Sequence, residues 1–84
     1  MTTMNYLSTN LQRLRKHHGL SQEQAAEKLG IKRPRYSGWE GNMSEPSIDM
    51  LLACCVLYRI GVGIMLTKDL SPLTMEDINK LVKP

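Results

Sequence analysis

Lys32, Arg33, Pro34, Arg35, Ser37 and Gly38 crowd into one short stretch, interleaved with Ile31, Tyr36 and Trp39 at helix-like spacing. On a helix, Arg33 and Ser37 lie one turn apart, as do Pro34 and Gly38. These four share an outer surface with almost no bulk beyond Arg33, while Tyr36 and Trp39 face inward. Cations beside a low surface suit the binding of a polyanion. The wider charge distribution agrees. The 84-residue chain has a formal charge of +3. Residues 10–42 carry seven Lys/Arg against three Asp/Glu, whereas residues 43–84 carry four against five. The positive charge therefore sits in the half that holds this stretch.

Other candidate chemistry is weaker. Cys54 and Cys55 are adjacent and cannot staple a loop, and no Cys-x-x-Cys spacing exists. The only histidines are the pair His17-His18. No metal site is expected from such ligand spacing. Cys55 reads as a small core residue, and the histidines read as solvent-facing residues at a helix end, where cations are favoured. No Ser/His/Asp set, phosphate-cradling glycine loop or clustered carboxylate pair is present, so neither an enzyme nor a cofactor is expected. Residues 1–8 are polar, so no secretory leader is expected. The apolar run around residues 50–56 is too short to span a bilayer. Free cysteines and these absences point to the cytoplasm.

The elements that must position the cationic stretch are helical throughout. Leu7, Leu11 and Leu14 mark one face of a first helix, starting within residues 5–9 and ending near Gly19. Ser21-Gln22-Glu23-Gln24 has the form of a capping box opening a second helix, with Ala25, Ala26 and Leu29 inside and Gly30 at its end. That helix is too short to stand alone and must be docked by neighbours. Pro34 suits a first turn, so the third helix starts at Arg33 or one residue earlier. Gly41-Asn42 is a stop signal in which either residue takes positive φ. Ser47 caps a fourth helix with Asp49 in its first turn. Ile48, Leu51, Leu52, Cys55 and Tyr58 are its predicted buried face. Val62, Met65 and Leu66 mark a short fifth helix, weakened by Gly61 and Gly63. Ser71-Pro72 looks like a cap and first-turn proline for a sixth stretch carrying Met75, Ile78, Leu81 and Val82. Met43, Met50, Met65 and Met75 read as core filler. No credible strand appears, and the fold class is all-α.

The run Leu11-x-x-Leu14-Arg15, Gly19-Leu20-Ser21-Gln22, Ala26, Leu29-Gly30-Ile31, Trp39-Glu40, Pro46, Leu51-Leu52 resembles the lambda-repressor-like (XRE, Cro-type) helix-turn-helix family. The likeness runs from about Leu11 to Leu66. It implies a compact five-helix bundle within residues 1–70 that inserts its third helix into the DNA major groove. Residues 71–84 then form an extra C-terminal helix, packing on the domain or stabilising a dimer. The family's habit implies a homodimer on a palindromic or near-palindromic operator of double-stranded DNA, with half-sites roughly 34 Å apart. It also implies a transcriptional regulator, most simply a repressor that works by occupancy. The alternative is a protein-interaction module on the same fold, an antitoxin-like partner binder without specific DNA binding.

The resemblance also assigns residues. Arg33, Pro34, Ser37 and Gly38 match the base-reading positions. Arg33 has the planar fork that suits guanine O6 and N7, Pro34 and Ser37 suit a thymine methyl, and Gly38 lets the backbone approach. Gln22 matches a phosphate contact at a helix N-terminus, with Ser21 beside it. Asn42 matches a loop contact with backbone phosphate, while Lys32 and Arg35, by their own position on the helix, point to the side where phosphates run. Arg15 and Glu40 match a partly buried structural ion pair. Lys32 stands where the family has a small N-cap, a loss that Pro34 offsets. Arg59 occupies a helix-end position that is more often glycine or asparagine.

Overall fold

The computed structural model describes residues 6–83. Six helices follow in order: α1 (Leu7–His17), α2 (Gln22–Leu29), α3 (Arg33–Glu40), α4 (Ile48–Tyr58), α5 (Val62–Thr67) and α6 (Met75–Leu81). No strand occurs among the described residues. The earliest part of the range predicted for the start of α1, residue 5, and most of the polar segment 1–8 lie outside them.

The core grows from the predicted faces. Leu7, Leu11 and Leu14 of α1 meet Ala25 and Ala26 of α2, Tyr36 and Trp39 of α3, and Leu51, Cys54, Cys55 and Tyr58 of α4. Ile60, Met65, Leu70 and Ile78 close it from the C-terminal side. Deep in this cluster the hydroxyls of Tyr36 and Tyr58 lie 2.5 Å apart. Each phenol thereby answers the other's need for a partner away from water. Burial of Cys54 pushes its thiol up to about 12, so it stays protonated and inert at neutral pH.

The helix-turn-helix connection depends on Gly30. Its φ of 74° lies in the left-handed region that a side chain disfavours. There the N–H of Ile31 reaches back to the Ala26 carbonyl at 3.0 Å and ends α2. The capping box at the other end of α2 forms as predicted, with Ser21 Oγ accepting from the Gln24 N–H at 3.0 Å. Lys32 gives α3 no side-chain cap, and Pro34 occupies its first turn.

Several expectations are corrected. Ile48 and Leu52 are exposed, not buried. Cys54 takes an inner position instead, because α4 is rotated so that residues 51, 54, 55 and 58 face the core, with α2, α5 and α1 packed against it. Met43 and Met75 are exposed, so only Met65 is fully buried core filler, with Met50 packed at the margin. His17 and His18 are half-buried. The His18 ring stacks on Tyr58 with centroids 5.5 Å apart, and its Nε2 sits 3.1 Å from the Tyr58 carbonyl. Ser71 does not cap α6. Its N–H and hydroxyl both donate to Asp69 Oδ1, and Thr74 forms a capping box with Asp77 instead. The Thr-x-x-Asp signal wins because Ser71 is already engaged in its own turn.

One buried polar residue escaped the sequence reading. Asn10 is completely buried on the inner face of α1. Its amide donates to the carbonyls of Met65 (2.8 Å) and Lys68 (2.6 Å), and its Oδ1 accepts from the Leu70 N–H at 3.0 Å. Helices end with carbonyls that lack intrahelical partners. Asn10 supplies those partners to the end of α5 from a helix distant in sequence. Farther along, Arg13 donates to the Leu73 carbonyl and ties α1 to the segment before α6.

Candidate nucleic-acid interface

Tyr36 and Trp39 are buried and fix α3 from behind, with their rings edge to face at 5.9 Å. The opposite side of α3 is open. Lys32, Arg33, Pro34 and Arg35 are exposed, and Ser37 and Gly38 are half-exposed. The side chains of Lys32 and Arg33 have no partner among the described residues. Arg35 differs, because its guanidinium carbon lies 5.7 Å from the centroid of the Trp39 ring. A cation over an indole face is attracted by the ring quadrupole, which draws Arg35 toward the flank of the helix.

Gly38 has a reason inside the fold as well as outside it. A β-carbon there would come 3.1 Å from Ser44 Oγ. The Gly38 carbonyl also accepts from the N–H groups of Met43 (2.8 Å) and Ser44 (3.3 Å). The loop after α3 therefore folds back against this glycine. In that loop the positive φ falls on Asn42, at 59°, and Gly41 keeps an ordinary conformation. The Asn42 side chain is exposed just beyond the end of α3.

The predicted ion pair is present. Arg15 Nε lies 2.7 Å from Glu40 Oε2, and its Nη2 lies 3.1 Å from Oε1, a two-pronged contact. Only 2% of the Glu40 side chain and 11% of the Arg15 side chain remain exposed. Arg15 also donates to the Leu20 carbonyl at 2.8 Å. What the sequence did not reveal is that Gln22 joins this network: its Nε2 donates to Glu40 Oε1 at 3.0 Å. The start of α2 is thus held to the end of α3. Gln22 keeps a second amide proton, and its backbone N–H, at the first position of α2, has no intrahelical acceptor. Ser21 Oγ accepts the capping bond and retains its own proton for donation.

Burial alone would push the Glu40 carboxyl up. Hydrogen bonds from Arg15, Gln22 and Tyr36 outweigh it and hold the group below the ordinary carboxylate value. A value depressed by folding contributes stability in full above the unfolded-state pKa, about 4.3, and loses it as pH falls through the folded-state value. The protein should therefore lose stability below about pH 5 more steeply than Glu40→Gln does. Urea midpoints at pH 7, 5 and 3.5 check this; parallel profiles would contradict it.

The proposed contact residues divide by position. Lys32 and Arg33 stand at the N-terminal end of α3, Gln22 and Asn42 at its C-terminal end, and Pro34, Ser37 and Gly38 between. With its side chains an α-helix is about 10–12 Å across, close to the width of the B-DNA major groove. No group of three or more His, Cys, Asp or Glu side chains suited to a metal ion occurs among the described residues. None of the described helices is long and apolar enough to cross a membrane.

This arrangement, a docked short helix, a glycine turn and a second helix with an open cationic face, defines a helix-turn-helix protein. Residues 11–63 match the helix-turn-helix family, and the chain belongs to that XRE, lambda-repressor-like family of DNA-binding regulators. It is 41% identical over 56 residues to the uncharacterized HTH-type transcriptional regulator YobD of Bacillus subtilis, covering 67% of this chain and 50% of that protein. It is 35% identical over 63 residues to the HTH-type transcriptional regulator ImmR of the same organism, covering 75% and 50%. For a third Bacillus subtilis regulator, the uncharacterized YqaE, the identity is 31% over 75 residues, covering 89% and 65%. The matches thus span about half to two thirds of the length of these relatives. No solved structure matches the chain significantly.

Proposed function

We propose that the chain is a sequence-specific transcriptional regulator of the cytoplasm, without enzymatic activity, that binds a palindromic operator as a homodimer and represses by occupancy. In this reading α3 enters the major groove, and Arg33, Pro34, Ser37 and Gly38 meet base edges. Ser21, Gln22, Lys32, Arg35 and Asn42 meet phosphates on either side. The observation that carries it is the face of α3: cationic and low, with Lys32 and Arg33 unpartnered among the described residues, yet held rigidly by two buried aromatic rings and the Arg15–Glu40–Gln22 network. A surface held this firmly and left without internal partners is suited to an external one. The regulator names of the relatives, ImmR among them, support the same direction.

Selection of bound duplexes from a random pool, followed by titration at several salt concentrations, tests the proposal. Specific binding should exceed binding to random duplex by about 10³ or more and weaken steeply with salt as phosphate contacts release counterions. Flat, weak binding to every duplex would replace this reading with a protein-interaction module on the same fold. Within the selected operator, Arg33→Ala should relax preference at one base pair per half-site at a cost of about 1–3 kcal/mol. Gln22→Ala should weaken all sequences alike, because its contacts carry no base information. Unchanged base preference in Arg33→Ala would displace the reading face from the start of α3.

A further inference from the structure

α4 presents a second surface that DNA binding by α3 does not use. Opposite its buried side, Ile48, Leu52 and Val56 follow at i, i+4 and i+8 and are 70%, 47% and 78% exposed. This apolar ridge runs beside a groove of about 540 Å³ whose walls include Leu52, Val56, Ile60 and Val62, with Arg59 and Lys83 at its rim. Single exposed apolar residues are ordinary, but a ridge that adjoins an apolar groove is the form of an association surface.

We propose that this face pairs with the same face of a second copy of the chain, the two α4 helices lying antiparallel about a two-fold axis. The inference rests on the homodimer reading above and gives it a surface and a register. Its carrying observation is the charge at the two ends of the ridge. Asp49 stands at the N-terminal end and Arg59 at the C-terminal end, and neither side chain has a partner among the described residues. Antiparallel pairing about the midpoint between Leu52 and Val56 sets Leu52 against Val56 of the other copy. The same register sets Asp49 against Arg59 and brings Ile48 to the Ile60 end of the groove. Each match occurs twice by symmetry, as a self-complementary interface requires. The helix dipoles also oppose one another favourably in this orientation. A parallel arrangement would bring like charges together at both ends. None of the residues of this surface belongs to α3, and Lys83 lines the groove, which gives the C-terminal segment a place beside the interface.

Sedimentation of the full chain at low salt tests the register. Asp49→Arg alone and Arg59→Asp alone each set like charges together at both ends, and each should raise the dimer dissociation constant roughly tenfold. Mixed in equal amounts, the two variants should associate nearly as well as the unaltered protein. Their heterodimer restores opposite charges at both ends. Leu52→Asp, at an exposed position, should leave the thermal melt of the monomer intact and abolish dimerisation. Variants that dimerise as the unaltered protein does, with no gain on mixing, would overturn this surface while leaving a homodimer through another face. An unaltered protein that stays monomeric in solution and occupies its operator as one copy would overturn the homodimer itself.

Discussion

Glu40→Ala should cost roughly 3–5 kcal/mol of folding stability, because it strands a nearly buried guanidinium without its carboxylate. Arg15 would keep only the Leu20 carbonyl, and Gln22 Nε2 would lose its acceptor as well. A domain of this size is stabilised by a net of about 5–15 kcal/mol, so the loss is a large share of the total. At about 4–8 °C per kcal/mol for such a domain, the melting midpoint should fall by roughly 12–40 °C. Replacing both partners, Arg15→Met with Glu40→Leu, should recover most of the loss, since paired charges in a low-dielectric site hold little advantage over apolar side chains of similar size. Calorimetry of the single and double variants checks both statements. A single variant within about 1 kcal/mol of the unaltered protein would mean that water reaches Arg15 freely. The double variant should still bind operator less tightly, because Gln22 would no longer be held against the end of α3.

The second large effect is expected at Asn10. Asn10→Ala removes the partners of the Met65 carbonyl, the Lys68 carbonyl and the Leu70 N–H, and it opens a small cavity in the inner face of α1. The Met65 carbonyl and the Leu70 N–H are buried, and each costs about 1–3 kcal/mol when left without a partner, so a total loss of roughly 2–6 kcal/mol is expected. Asn10→Leu restores volume without restoring any bond and should rescue little. Hydrogen exchange gives the more local readout. The Leu70 amide should exchange far faster in Asn10→Ala, while amides in the middle of α1 slow or quicken only with global stability. Equal protection of the Leu70 amide in both proteins would mean that another acceptor replaces Asn10.

Much of the framework of α3 could be read in the sequence because its signals are local. Gly30 ends α2, Pro34 sets the first turn of α3, and Tyr36 and Trp39 fall on one side of a helix whatever surrounds it. The capping box at Ser21 is likewise closed within four residues. The pairing of Arg15 with Glu40 came through family resemblance, since twenty-five residues of chain separate them and no local rule connects them.

Other features depended on which helix lies against which. The sequence of α4 is apolar on nearly every side, so periodicity alone did not say that Ile48 and Leu52 face outward and Cys54 inward. Packing against α2, α5 and α1 chose the rotation. The start of α6 is the exception: two capping signals competed there, and Asp69, only two residues from Ser71, settled the matter locally by engaging it. Asn10 sat in plain view on the apolar face with Leu7, Leu11 and Leu14, but its meaning required the end of α5 to arrive beside it. Gln22 could be placed at the start of α2, yet its bond to Glu40 belongs to the docking of α2 on α3. The chain by itself determined where its helices begin, turn and present charge, because those choices are made by neighbours a few bonds away. Only the folded molecule decided which faces are buried and which polar groups are shared, because those choices are made by groups brought together from far along the chain.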